Sequence, residues 1–278
     1  MITFSSTQKN RLTELGLKKE VIQKQFCSNA ECNIYFQREE KAAVMKNRDR
    51  LKLLQELHEP KLHSLQRAIE LSLYQHGFTQ VYTPTVISRK FLERMSIDGT
   101  HPLNDQVFWL DNNTCLRPML APNLYDISRK MMNYSKMPLR VFEIGSCFRK
   151  ETEGKSHLKE FTMLNLVEWQ TPEEERTQRL KELTEIVLCA ADIHEFDYEN
   201  ENSAIYGRGL DVIGKTGIEL ASSSMGPHPL DAAWNINCSW VGIGFGLERL
   251  LMYREGEEGI HRYSKSITYQ NGALLNIK

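Results

Sequence analysis

Two stretches of this chain place together residue types that suit a nucleotide. The first is Phe148-Arg149-Lys150-Glu151, followed by polar residues around Gly154 and then by His157-Leu158-Lys-Glu-Phe161-Thr-Met-Leu-Asn165. A glycine among polar neighbours favours a turn, so the flanks, predicted as strands over 139–151 and 157–168, become an antiparallel hairpin. Alternation along a strand puts Arg149 and Glu151 on one face and groups His157, Phe161, Met163 and Asn165 on the returning strand. That face offers a cation for a phosphate oxygen, a carboxylate to accept from an exocyclic amine, and a ring to stack on a base. The same residues also read as a surface hairpin with an incidental salt bridge.

The second stretch is Trp240-Val-Gly242-Ile-Gly244-Phe-Gly246-Leu-Glu248-Arg249. Glycine at every second position clears one sheet face of side chains, so a flat ligand can lie against backbone, while Val241, Ile243, Phe245 and Leu247 face a core. Arg249 falls in the first turn of the next helix, where the dipole disfavours a cation and a bound phosphate would offset it. The spacing G-x-G-x-G is not the dinucleotide fingerprint, and no Gly-Lys-Ser/Thr follows to make a P-loop. A glycine-rich strand packed against another element is the alternative. A third patch, Glu219-Leu220-Ala-Ser222-Ser223-Ser224, supplies a carboxylate and hydroxyls late on a strand, the oxygen donors that Mg²⁺ needs beside ATP. Strict alternation puts Glu219 and Ser222 on opposite faces, so their joint use requires a local bend; packing by small residues is the other reading.

The elements that must position these groups follow from periodicity. Apolar residues at helical spacing from Leu62 to Tyr74 end at Gly77, a natural helix stop. Phe78 to Ile87 reads as one strand interrupted by Pro84. Helices are predicted at 122–136 and 173–191, a strand pair at 204–213 and 216–225, and a strand at 240–246 entering a helix at 247–254. No βαβ rhythm and no repeat occurs, so the fold is predicted as α+β, a mainly antiparallel sheet flanked by helices.

Residues 1–61 carry 12 Lys+Arg against 8 Asp+Glu, and the remainder 23 against 28, within a chain of 278 residues and net charge −1. That first segment reads as two or three helices with loops near Gly16 and Ser28-Asn29, and with apolar positions such as Val44, Leu51 and Leu54. Most of its charge is expected to be a solvated surface. With 41% hydrophobic and 26% charged residues, the composition excludes a disordered, collagenous or strongly basic chain. No secretory leader or membrane-length apolar run is present, and six cysteines without a CxxC pair argue against a zinc site or disulfide framework. A soluble cytoplasmic protein with reduced thiols, and no membrane partner, is expected.

Taken in order, these blocks resemble the three motifs of class II aminoacyl-tRNA synthetases. Gly77-Phe78, Val81 and Pro84 resemble motif 1, the dimer-interface helix and strand. Arg149-x-Glu151 with His157 and Phe161 is similar to motif 2, and Gly242-x-Gly244-x-Gly246-x-Glu248-Arg249 to motif 3. Leu116-Arg-Pro-Met-Leu-Ala121-Pro-Asn-Leu124-Tyr125, Phe161-Thr-Met-Leu-Asn165 and the motif 3 run narrow the likeness to the catalytic domain of the pyrrolysyl-tRNA synthetase family, over about Gly77 to Gly272. The resemblance implies ATP-dependent ligation of pyrrolysine to its tRNA through an aminoacyl-adenylate, with Mg²⁺. It places Arg149 on the α-phosphate, Arg249 on the outer phosphates and adenine face, Glu151 on the adenine amine, His157 near the distal phosphates and Phe161 on adenine. Leu158 and Leu220 join this ATP set, and Glu219 and Ser222 hold the metal. It implies an amino-acid pocket of Ala121, Leu124, Tyr125, Ser128, Val167, Ser223, Ser224, Trp240 and Gly242, with Asn165 at the side-chain amide and Tyr206 as a mobile lid.

The domain organisation expected from it is a helical, tRNA-contacting segment over 1–61 and a catalytic domain over 62–278, working as a homodimer. The family's additional N-terminal tRNA-binding domain does not fit in this length, so the chain is expected either to work without it or to use a separate polypeptide. The basic helices before Pro60 and the region near Lys265 are expected to meet the tRNA backbone, with salt-sensitive affinity. Other functions consistent with the residues are another class II synthetase, phenylalanyl-like, a paralogous amino-acid ligase, or a regulatory paralogue without catalysis.

Overall fold

The computed structural model describes residues 1–150, 158–203, 205 and 207–275. Glu151, His157 and Tyr206 therefore lie outside the described residues. The chain opens with β1 (Ile2–Thr3), α1 (Ser6–Glu14), α2 (Lys19–Ile22), β2 (Gln25–Phe26) and the long α3 (Asn29–Leu53). Ser5 caps α1 in a capping box with Gln8, and Ser28 caps α3 through the Glu31 N–H. The segment is thus helical with one addition, a β1–β2 ribbon, and it closes its own small core of Phe4, Leu12, Ile22, Phe26 and Cys32. Val44, Leu51 and Leu54 are only half-buried, whereas Asn47 is buried. Its amide donates to the Leu274 carbonyl and accepts from the Leu274 N–H, both at 2.9 Å, 227 residues away in sequence. Most of the segment's charges are exposed, as expected, but some hold it to the rest of the chain: Arg50 pairs with Glu257, and Lys61 with Glu255 at 2.5 Å.

Next come α4 (Lys61–Gln75), β3 (Thr79–Gln80), β4 (Val86–Ser88), α5 (Arg89–Glu93), α6 (Pro102–Asp105), β5 (Thr114–Leu116) and α7 (Ala121–Met132). α4 buries Leu65, Ile69 and Leu73 on one stripe. It stops where Gly77 takes φ +78° and the Phe78 N–H closes onto the Leu73 carbonyl at 3.0 Å. The stretch from Phe78 to Ile87 is not one strand. Around Pro84 it divides into β3, which pairs with the main sheet, and β4, which pairs with β5 in a separate ribbon.

The remaining elements are β6 (Leu139–Phe148), β7 (Glu160–Trp169), α8 (Arg176–Ala190), β8 (Phe196–Ser203), β9 (Gly207–Gly214), β10 (Glu219–Gly226), β11 (Trp240–Gly246), α9 (Leu247–Arg254), β12 (Tyr269–Gln270) and β13 (Ala273–Leu274). Seven strands form one sheet in the order β3-β6-β7-β11-β10-β9-β8. Every pairing is antiparallel except β3 with β6. The late strands differ from expectation: β9 pairs with β10, but β8, whose sequence Phe-Asp-Tyr-Glu-Asn-Glu-Asn-Ser is mostly polar, adds an edge strand that the apolar pattern did not announce.

Strand alternation divides the sheet into two faces. Phe142, Leu164, Val241, Ile243 and Phe245 pack with Leu65, Ile69 and Leu73 of α4 and Leu180, Leu183 and Val187 of α8. The opposite face carries Val141, Val167, Trp169 and Trp240 against Leu124 and Tyr125 of α7. Burying the first face on helices leaves the second free to be hollowed. No described helix is long and apolar enough to cross a membrane.

Candidate active site

A cavity of about 320 Å³ lies on that second face. Its floor is β11. Gly242, Gly244 and Gly246 all line it, while the intervening Val241, Ile243 and Phe245 are buried in the helix-covered core. A Cβ built on Gly244 would come within 3.2 Å of Asn165 Nδ2 and 3.4 Å of Met163 Cε. The glycine spacing therefore does what alternation requires, leaving backbone exposed along one strand face.

The charged end is built where β6 and β11 finish and β7 and β10 begin. Arg149 follows β6, and its Nε donates to the Pro118 carbonyl at 3.0 Å, with the guanidinium 5.3 Å from the Phe161 ring centroid. The segment holding Pro118 is itself clamped. Arg117, 3% exposed, donates to Glu143 Oε1 at 2.7 Å and to the Ser146 carbonyl at 2.8 Å, and Glu143 accepts from the Thr83 hydroxyl at 2.7 Å. Asn123, in the first turn of α7, donates to Thr83 Oγ1 at 2.6 Å and to the Pro84 carbonyl at 3.0 Å. The Pro84 corner and the Ala121-Pro-Asn run therefore form one buried polar joint behind the site.

Arg249 sits in the first turn of α9, and its guanidinium donates to the Glu219 carbonyl at 3.0 Å and carboxylate at 3.1 Å. The anion that offsets Arg249 at this helix N-terminus is thus the Glu219 carboxylate. The bend that joint use of Glu219 and Ser222 demanded is present: the β9–β10 register slips between Glu219 and Ala221, and both side chains line the cavity. A group of three or more His, Cys, Asp or Glu arranged for a metal does not occur among the described residues. One carboxylate with a hydroxyl nonetheless fits Mg²⁺ of the kind held largely by substrate phosphates.

Glu248, 1% exposed, also borders the cavity and accepts the Thr162 N–H on both oxygens at 2.9 Å. Burial pushes its carboxyl above the ordinary range, against the pull of that N–H.

The other end is aromatic. Tyr125 stacks on Trp234 at 5.4 Å and 22°, and meets Trp169 and Trp240 edge-on at 5.4 and 5.9 Å. Asn165, from β7 opposite Gly244, points an amide into the middle of the cavity, and its Oδ1 is buried without a hydrogen-bond partner in the protein.

Of the residues singled out in the sequence, the cavity gathers Arg149, Leu158, Phe161, Glu219, Leu220, Ser222 and Arg249 with Ala121, Leu124, Tyr125, Asn165, Val167, Ser223, Ser224, Trp240 and Gly242. Ser128 is the exception: it is fully buried on α7 and does not line the cavity. Its spacing from Tyr125 places it on the same helix face, but one turn deeper into the packing. Ser223 lines the wall with its hydroxyl turned to the strand, donating to the Leu210 carbonyl at 2.6 Å. Met163, which alternation grouped with Phe161 and Asn165, lines the cavity, as do Met119, Trp169 and Ile205, which were not expected. For Trp169 the signal was available, since it shares the parity of Phe161 and Asn165 on β7.

A family profile described as the tRNA synthetases class II core domain (F) matches residues 50–269. The chain belongs to that class. A crystal structure of pyrrolysyl-tRNA synthetase from Desulfitobacterium hafniense is 45% identical, covers all of both chains and superposes with a TM-score of 0.93; a second structure from that organism is also 45% identical, with a TM-score of 0.90 and coverage of 99% and 96%. Within the class, the chain accordingly belongs to the pyrrolysyl-tRNA synthetase family. It is also 28% identical over 88 residues to a threonine–tRNA ligase of Marinobacter nauticus and over 96 residues to one of Treponema pallidum. Those stretches span 30% and 34% of this chain but only 13% and 16% of the ligases' own length.

Proposed function

We propose that the chain joins pyrrolysine to its cognate tRNA in two steps, using ATP. The carboxylate of the amino acid attacks the α-phosphorus, an O–P bond forms, and the bond to pyrophosphate breaks to leave aminoacyl-AMP. A ribose hydroxyl at the tRNA terminus then attacks the acyl carbon, loses its proton, and displaces AMP. No side-chain nucleophile is needed; catalysis rests on positioning and on neutralising phosphate charge. Arg149 holds the α-phosphate, and Phe161 stacks on adenine, with Glu151 reading its amine and His157 reaching the distal phosphates. Arg249 exchanges its Glu219 partner for the outer phosphates, which releases the carboxylate. Glu219 and Ser222 would then hold Mg²⁺, which when bound neutralises the pyrophosphate leaving group.

The amino-acid side chain runs towards Tyr125 and Trp240. Asn165 meets its amide group, and Tyr206 closes over it. One observation carries this reading: a single cavity has two arginines and two carboxyl groups over a bare glycine floor at one end, an amide whose oxygen has no protein partner in the middle and an aromatic cage at the other.

The division into a tRNA-contacting segment (1–61) and a catalytic domain (62–278) is supported by the separate core of the first segment. The basic helices of that segment, with the region near Lys265, meet the tRNA backbone, and a separate tRNA-binding polypeptide can complete the contact. A homodimer is supported by Leu71, Tyr74, Tyr82 and Val86, which cluster in sequence around motif 1 and are 47% exposed or more. Six free thiols fit a reducing cytoplasm. The test is ATP–pyrophosphate exchange and tRNA charging with pyrrolysine and with phenylalanine. Exchange with pyrrolysine alone is expected; exchange with phenylalanine alone, or with neither, overturns the reading.

A further inference from the structure

Behind the aromatic end of the cavity lies a carboxylate that no step above uses. Asp231 is 3% exposed and does not line the cavity. Its Oδ1 accepts from the Tyr125 hydroxyl at 2.9 Å, and its Oδ2 accepts from Trp240 Nε1 at 2.9 Å and from the His228 N–H at 2.7 Å. The aspartate is itself fixed, because it stands at the third position of the 3₁₀ turn Pro229–Trp234 and forms a capping box with His228, whose ring accepts the Leu230 N–H at 3.2 Å. Room for this arrangement is made elsewhere in the sheet: a Cβ on Gly226 would fall 1.9 Å from Trp240 Nε1. Three donors from three separate segments thus converge on one buried acceptor group, and two of them belong to rings that line the cavity.

We infer that Asp231 is a positioning residue that determines side-chain specificity, by locking Tyr125 and Trp240 into a fixed end wall. The inference rests on the function proposed above and assigns the size discrimination of that site to a residue outside it. Only a carboxylate offers acceptors to both rings at once; an asparagine keeps one acceptor, and its N–H either opposes the Trp240 N–H or obliges the Tyr125 hydroxyl to accept and leave its own proton buried without a partner. A ring whose hydrogen bond is lost or weakened in this way can shift, and a wall that moves no longer distinguishes side chains by length. ATP binds at the opposite end, so its affinity does not depend on the wall.

The experiment measures amino-acid-dependent ATP–pyrophosphate exchange for wild type, Asp231→Asn and Tyr125→Phe. The probes are pyrrolysine and Nε-acyl-lysines with shorter acyl groups. For Asp231→Asn, the KM for pyrrolysine is expected to rise at least tenfold and the kcat/KM preference for pyrrolysine over the shorter substrates to fall at least fivefold, with the KM for ATP within twofold of wild type. Tyr125→Phe deletes one hydroxyl and leaves the ring, so it reads the same contact even if Asp231→Asn does not fold, with a shift of about threefold in the preference. An unchanged preference in Tyr125→Phe, or a parallel loss for every amino acid and for ATP in folded Asp231→Asn, overturns the inference. Absence of exchange by the wild-type enzyme with all of these amino acids would instead overturn the underlying function, and this inference with it.

Discussion

At the phosphate end of the cavity Arg249 and Glu219 are 26% and 47% exposed and, among the described residues, pair with each other and with backbone. At the aromatic end Tyr125 and Trp240 are 4% and 3% exposed and are fixed by stacking and by hydrogen bonds to Asp231. The contrast follows from what each end must do. A phosphate brings its own charge, so the groups that receive it need a weak, exchangeable resting partner. A long apolar side chain brings only shape, and shape is recognised by a wall that does not yield. The first end is assembled from half-exposed, exchangeable charges, the second from buried, hydrogen-bonded rings.

The difference can be broken most severely at Arg149. Arg149→Ala is expected to lower pyrophosphate exchange at least 10²–10³-fold, the scale of losing one preorganised transition-state donor, with an unchanged melting temperature. A loss under tenfold would remove the arginine from the chemistry. Filling the floor comes next: Gly244→Val adds bulk beside Asn165 and Met163 and is expected to raise KM for ATP and amino acid at least tenfold while the sheet stays folded by circular dichroism. Wild-type KM values would mean that substrates do not lie on β11.

Glu219→Ala sharpens the comparison, because an exposed ion pair contributes at most about 1 kcal/mol to stability. Exchange is expected to fall about tenfold and the Mg²⁺ concentration for half-activity to rise, while denaturant melts overlay; a large stability loss with unchanged Mg²⁺ dependence would contradict the assignment. The smallest effect belongs to Glu248. Its folded carboxyl is held above the ordinary range by burial, so the native state binds its proton more tightly than the unfolded chain. Its contribution is present below the usual carboxylate range and is lost as pH rises through the raised folded value. Wild type should therefore lose stability relative to Glu248→Gln as pH rises from the ordinary carboxylate range through the raised folded value, read from melting temperatures in parallel buffers; a constant difference would show that the carboxyl titrates normally.

The two ends also differed in how far the sequence disclosed them. Period-two glycine in β11 and the Arg149 hairpin are local patterns, and they led directly to the floor and one charged wall. The joint between Glu219 and Ser222 needed a register slip that alternation cannot supply. Asp231 escaped notice because its importance depends on donors from Tyr125 and Trp240, brought together only by the fold. β8 was missed because an edge strand facing water carries few apolar residues, and Ser128 was misplaced because helical parity gives direction but not depth. The single strand expected across Pro84 failed for a related reason, since the break sends its two halves to different sheets.

The Asn47 amide has a consequence for the order of assembly. It answers the Leu274 backbone as a neighbouring strand would, across a sequence separation of 227 residues. During synthesis, helix α3 is complete long before that backbone emerges, so its amide stays hydrated until the final stretch arrives. Docking of the first segment is therefore expected late in folding, with hydrogen exchange at the Leu274 amide as the measurement that checks it.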